Sequence, residues 1–150
     1  MNRTSVICTV AGVLAAGALV ASTTGGIASA SSGGRSHTLT FTTHQIASTG
    51  AAKDHHLLIE TDRATRSGRT IGYTANTCSF DFAAHRAHCL VTLARPRGQM
   101  RVWATVDVDT GTILGKVTGG TGIYDGITGT VSGHPGSNPD ASTFTIRWNG

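Results

Sequence analysis

His85-Arg86-Ala87-His88-Cys89 places three potential metal ligands within five residues. A structural zinc site needs four ligands at ordered spacings, hence a second Cys/His pair to complete it, and the sequence has no pair of that kind. The other histidine pair, His55-His56, would point its rings to opposite faces of a strand, where they cannot chelate together. Asp109-Thr110-Gly111 matches the tripeptide of aspartic proteases, in which two carboxylates share a proton. Those enzymes need a later apolar-apolar-Gly segment crossing behind the loop, whereas Ile113-Leu114-Gly115 follows at once. Asp-Thr-Gly therefore reads as a turn between strands, and Asp107 with Asp109 reads as a solvated pair. No Gly-x-Ser-x-Gly elbow is present for Ser/His/Asp hydrolysis. The glycines from Gly119 to Gly129 could suggest a phosphate cradle, but that loop needs a Lys-Ser/Thr and a following helix, and here strand patterns lie on both sides. The segment reads as a tight, backbone-exposed turn with Tyr124 its one large side chain, and its glycines permit a sharp corner or the close approach of another backbone. No metal site and no standard catalytic set emerge from these motifs.

The elements that position these residues begin after a leader. Met1-Asn2-Arg3 is a short cationic start, Val6 to Val20 is an apolar run, and Ala28-Ser29-Ala30 is a small-x-small cleavage signal before Ser31. A membrane anchor needs about 20 apolar residues, and this run ends at Ala21-Ser22-Thr23. Residues 1–30 are thus expected to be a secretory signal peptide, 31–36 a flexible segment, and 37–150 one exported, extracellular domain with no membrane association after cleavage. The whole chain has 150 residues with 12 Lys+Arg against 8 Asp+Glu. Removing Arg3 leaves eleven basic residues and a net charge of +3. The arginines are scattered singly and are not clustered with stacking aromatics, which speaks against a nucleic-acid partner. Export leaves Cys78 and Cys89 together in an oxidising compartment, where a structural disulfide is the expected outcome. The short loop it closes makes it worth roughly 3 kcal/mol.

Past the leader, no ten-residue segment repeats apolar residues at helical spacing. His37 to Ile46 alternates, with Leu39 and Phe41 on one side and Thr38, Thr40 and Thr42 on the other. Residues 55–60 form a second strand pattern, ended by a polar turn from Thr61 to Gly68. Further strands are expected at 69–82, 89–94, 99–108, 112–117, 126–132 and 142–148. The cleanest alternation is Met100, Val102, Ala104, Val106 and Val108. Eight short strands with Gly-bearing turns suggest a sandwich or a closed barrel. A Cys78–Cys89 bond would make the third and fourth strands a hairpin. Ala83-Ala84 is a poor two-residue turn, so a wider loop of about Asp81 to His88 is expected, with the histidines at its tip.

Lys116-Val117-Thr118-Gly119-Gly120-Thr121-Gly122-Ile123-Tyr124-Asp125-Gly126-Ile127-Thr128-Gly129-Thr130-Val131 resembles the signature of the allene oxide cyclase barrel and dirigent-like superfamily, in particular its secreted bacterial members. The cysteine pair and the apolar strand Thr143 to Trp148 fit the same layout, and the resemblance spans most of 37–148. It implies an all-β fold, an eight-stranded antiparallel β-barrel with a central apolar cavity, a homodimer or homotrimer, and no cofactor. The superfamily includes cyclases and isomerases as well as dirigent proteins that steer radical coupling. Plant dirigent proteins place an acid just after Gly-Gly-Thr-Gly, where this chain has Ile123. The run Ile123-Tyr124-Asp125 looks closer to that of the cyclases. A cyclase cysteine sought in Cys78 would be disabled by its disulfide to Cys89, so no catalytic set is carried over.

Three functions compete. An exported barrel could bind a small apolar molecule and steer its cyclisation or coupling by confinement alone. An isomerase could add one polar cavity group, with Tyr73, Asn76 or Asp125 as orienter or acid and Tyr124 beside the ligand. A non-catalytic extracellular interaction or structural protein could instead use Trp103, exposed on a polar strand face, as an anchor. Whether the chain is an enzyme stays open at this point; if so, it is a cofactor-independent isomerase or cyclase. By parity, Phe41, Tyr73, Phe80, Phe82, Met100, Val102, Phe144 and Trp148 are the bulky candidates for the interior, as core packing or as ligand contacts. Tyr73 and Phe80 have opposite parity, so both face inward only across a bulge.

Overall fold

In the central strands, side chains alternate between a buried and an exposed set: Met100, Val102 and Ala104 are buried while Gln99, Arg101 and Trp103 are exposed. This is the period-two pattern of a sheet with one face on a core. The computed structural model describes residues 34–49, 56–138 and 140–150. The expected leader at 1–30, residues 31–33 of the segment after it, and His55 lie outside the described residues. Eight strands follow in order: β1 Ser36–Thr49, β2 Leu57–Arg66, β3 Arg69–Asp81, β4 Arg86–Arg95, β5 Gly98–Asp107, β6 Ile113–Gly120, β7 Thr128–Pro135 and β8 Ala141–Asn149. A single 3-10 turn, Gly122–Tyr124, separates β6 from β7. Each strand pairs antiparallel with its sequence neighbours and β8 returns to β1, so the sheet closes into a barrel. The all-β barrel expectation holds and the sandwich alternative does not.

Strand boundaries shift by up to three residues at β1, β6 and β7, and two differences are larger. The stretch from Thr61, expected to be a turn, continues β2 to Arg66. Its outward residues Thr61 and Arg63 are exposed, while Asp62 and Ala64 are buried, so a polar composition still serves a two-faced strand. The reversal is only two residues, Ser67 (φ 49°) and Gly68 (φ 76°), both left-handed as a type I′ hairpin turn requires. The β3–β4 connection is also tighter than expected, just Phe82 to His85. Asp81 Oδ1 accepts the Ala84 N–H at 3.0 Å, and His85 (φ 51°) donates its N–H to the Phe82 carbonyl. His88 and Cys89 therefore belong to β4. His85 turns toward Asp109, His88 lies on the exposed face, and Cys89 is bonded to Cys78. The three potential ligands do not converge.

Cys78 sits directly opposite Cys89 in the β3–β4 ladder, with Cα atoms 4.0 Å apart, and the two are joined as the expected disulfide. Both face the interior. One end of the barrel is plugged by Leu39, Met100, Val117, Tyr124 and Ile127, all buried, with Leu93 and Ile146 in the next layer. Each fully buried side chain such as Leu93 or Ile146 contributes about 1.5–3 kcal/mol relative to exposure.

Candidate functional site

Above the plug the interior is not filled. Along β1 the inward residues run Leu39, Phe41, Thr43; β8 answers with Ile146, Phe144 and Ser142 directly opposite. On the far wall the facing inward side chains at mid-height are small, with Ala104 opposite Gly115 and Gly115 opposite Val131. Small side chains there leave a cavity of about 230 Å³. A dry apolar cavity of about 150 Å³ takes up benzene, so this volume suits a larger guest of roughly two fused rings. Phe41, Val91, Leu93, Val102, Ala104, Val131, Phe144, Ile146 and the disulfide make its apolar wall. Gln45 and Asp140 are exposed and Leu58 and Phe80 half-buried at the end away from the plug. That end is the mouth.

The polar lining runs over adjacent elements, with Thr43 and Gln45 on β1, Asp140 and Ser142 around the start of β8, and its innermost acids on β2 facing β3. Glu60 and Asp62 are two residues apart on one strand and so share the inward face, and their partners across the ladder are Asn76 and Thr74. Asp62 is 4% exposed. Its Oδ2 accepts hydrogen bonds from Thr74 Oγ1 at 2.7 Å and from Asn76 Nδ2 at 2.9 Å. With its amide nitrogen committed to Asp62, Asn76 is left with Oδ1 buried and unpartnered, a state that costs about 1–3 kcal/mol. Burial raises the Glu60 carboxyl above the usual glutamate range, and the charge of Asp62 beside it adds to the rise, with the Asn76 amide working the other way. The site thus offers a carboxyl whose titration is shifted upward, a hydrogen-bonded carboxylate behind it, and an unmet acceptor. A group that keeps its proton above the ordinary carboxylate range is suited to act as a hydrogen-bond donor or general acid.

The sequence-derived site residues divide. Asn76 lines the cavity. Tyr73 is 51% exposed on the outer wall opposite Arg63 and Ala94, so the interior role expected for it is corrected: its parity is opposite to that of Thr74, Asn76 and Cys78. Tyr124 is buried in the plug, where its hydroxyl accepts a hydrogen bond from Arg95 Nη1 at 2.7 Å. Asp125 is exposed just after the 3-10 turn. Neither reaches the central cavity. Of the bulky candidates, Phe41, Phe80, Val102 and Phe144 line it, whereas Met100 belongs to the plug, Phe82 lies in the exposed turn after β3, and Trp148 stands at the plugged end. Glu60, Asp62 and Thr74 were missed. The signal for them was present in the shared parity of Leu58, Glu60, Asp62 and Ala64. Among the described residues, no group of three His, Cys, Asp or Glu side chains is arranged to hold a metal.

No protein-family model matches the chain, and no curated protein matches it in sequence. Solved structures do. The chain is similar to a pyocyanin demethylase, with a TM-score of 0.65 at 16% identity over 75% of this chain and 100% of the other. It is similar to the Diels-Alderase AbmU from Streptomyces koyangensis, with a TM-score of 0.60 at 19% identity over 80% of this chain and 71% of the other. A third is the pterocarpan synthase dirigent protein PsPTS1, with a TM-score of 0.60 at 12% identity over 76% of this chain and 93% of the other. The chain shares with these proteins a barrel fold.

Proposed function

We propose that the barrel binds a compact, largely apolar molecule through its mouth and steers the cyclisation of that molecule without a cofactor. The carrying observation is the asymmetry of the cavity: an apolar wall opposite one polar sector that holds Glu60, Asp62 and the unpartnered Asn76 Oδ1, with burial raising the Glu60 carboxyl. A guest of about two fused rings would lie with its apolar body against Phe41, Val102 and Phe144. Its polar end would carry an acceptor, a carbonyl or epoxide oxygen, toward Glu60 and a hydroxyl or N–H toward Asn76. Holding the reacting ends in one folded geometry removes orientational entropy. A hydrogen bond from Glu60 to the carbonyl stabilises charge that builds on that oxygen in the transition state. In a (4+2) ring closure two π bonds become two σ bonds and the Glu60 proton stays where it began. The Diels-Alderase and the dirigent protein among the similar barrels support a cyclisation-steering role.

The purified protein is expected to show a saturable rise in thermal midpoint with polyketide-like dienes bearing a carbonyl, larger than with monolignols or epoxy fatty acids, because ligands that bind only the folded state stabilise it. Product analysis on the stabilising class then reads cyclisation. A flat response across all three classes would remove the ligand-binding reading.

The outer wall favours a second element of the proposal, self-association of an exported protein. Leu90 and Trp103 are exposed and directly opposite each other on β4 and β5, Ile59 lies in the same row beyond Thr77 of β3, and Leu57 and Leu114 flank the row on β2 and β6. Exposed apolar side chains gathered around Leu90 and Trp103 on one wall suit an interface. Intact mass spectrometry of protein recovered from the culture medium should give an N-terminus at Ser31 and a dimeric or trimeric mass that falls to the monomer in Trp103→Glu. Retention of residues 1–30 would refute export, and an unchanged assembly in the variant would refute this interface. A monomeric parent would leave the patch to a different extracellular partner, the non-catalytic alternative.

A further inference from the structure

The Gly-rich segment contributes nothing to the central cavity, yet it builds a second concave site at the plugged end. There the β4–β5 turn is held against the 3-10 turn. Ile123 donates its N–H to the Arg97 carbonyl at 3.2 Å and Thr121 donates to the Gln99 carbonyl at 2.8 Å. The backbones are so close that a Cβ on Gly98 would stand 2.1 Å from the Thr121 carbonyl oxygen, and one on Gly122 would stand 2.3 Å from that of Arg97. Only glycine fits such an approach. The two turns and the strand ends beside them enclose a depression of about 560 Å³, within the range of small-molecule sites.

Its chemistry is opposite to that of the central cavity. The Trp148 indole is half-buried, stacked on His37 with centroids 5.3 Å apart, and meets Tyr124 edge-on at 6.2 Å. The Arg95 guanidinium is fixed: it donates to the Tyr124 hydroxyl, and its carbon lies 5.9 Å from the Tyr124 ring centroid. Its Nε is buried with no partner. Arg97 is exposed at the rim. Among the described residues neither arginine forms an ion pair, and no carboxylate lines the depression. Two unneutralised guanidinium groups beside an aromatic wall make a site whose complement is planar and anionic.

We propose that this depression binds a planar aromatic carboxylate, with the carboxylate on Arg95 and Arg97 and the ring against Trp148 and Ile123. The proposal is independent of what the central cavity holds. The test uses 2-naphthoate as probe and its neutral isostere 2-naphthamide as control, followed by the indole N–H resonance of Trp148 in ¹⁵N NMR spectra of the Trp103→Phe protein, in which Trp148 is the remaining tryptophan. The expected result is a saturable shift of that resonance with Kd below about 1 mM, at least tenfold weaker binding of the amide, and at least fivefold weaker naphthoate binding in Arg97→Ala. Arg97 is exposed on a turn, so this variant is expected to fold. Arg95→Lys, which keeps the charge but loses the fork, should also weaken binding. Equal binding of the amide, indifference to Arg97→Ala, or shifts confined to the Asn76 side-chain amide in the central cavity would each overturn the proposal, as would the absence of any saturable shift.

Discussion

Glu60→Ala is expected to lower the rate of the cyclisation that the cavity supports by roughly 10²- to 10³-fold, the usual consequence of removing one donor from a developing oxyanion. Glu60→Gln keeps a weaker N–H donor, so it should recover part of that loss. The two variants also separate by pH. The carboxyl is raised by burial and then by Asp62, so the protonated, donating form persists above the ordinary glutamate range and disappears as pH rises through the raised value. The parent rate should fall over that window, while the Gln variant should be flat. The stability sign runs the same way. A carboxyl raised in the folded state contributes stability below its unfolded value, and that contribution is lost as pH rises through the folded one. Glu60→Gln should therefore gain in thermal midpoint relative to the parent on the alkaline side. Circular dichroism melts and single-turnover rates across pH check both. Folded variants with parental rates and an unaltered pH profile would leave the barrel acting by confinement alone.

Replacing both disulfide cysteines, Cys78→Ala with Cys89→Ala, should cost about 3 kcal/mol from the lost constraint on the unfolded chain, or roughly 10 °C in thermal midpoint for a domain of this size. The two residues are 11 apart in sequence and register-matched across one hairpin, so the closed loop is short and the effect moderate. Both sulfurs also form part of the cavity wall. The variant should accordingly accept a bulkier guest than the parent, read as a larger ligand-induced thermal shift for a branched than for an unbranched analogue. A double variant melting with the oxidised parent would show that the bond adds nothing to stability.

Why β5 was legible and β2 was not follows from what each strand presents inward. Every interior position of β5 from Met100 to Val106 is apolar, so alternation could be read directly, although Val108, placed on the same face by parity, falls beyond the strand and is exposed. The interior positions of β2 include Glu60 and Asp62, and two acids in a polar stretch look like the end of a strand when they are its inward face. The site thus erased the signal by which its own strand would have been found. The misplacement of Tyr73 was avoidable: a cross-strand disulfide requires both cysteines on one face, and Cys89 shares parity with Val91 and Leu93. Cys78, Asn76 and Thr74 are then inward and Tyr73 outward. Tyr124 was different in kind. It follows a run of glycines whose positive φ values at Gly119 and Gly122 break any parity count, so only the folded chain reveals which end of the barrel it plugs.

The closure of the barrel brings its first and last strands together, Ser36 opposite Asn149 and His37 opposite Trp148. Both ends of the domain thereby emerge on the plugged side, opposite the mouth framed by Gln45, Leu58, Phe80 and Asp140. A surface tether, a fusion partner or an affinity tag at either end would leave the entrance to the central cavity facing away from its attachment. Such an attachment would crowd instead the arginine-lined depression beside His37 and Trp148. Immobilisation chemistry therefore selects which of the two ends of the molecule is left open to a ligand.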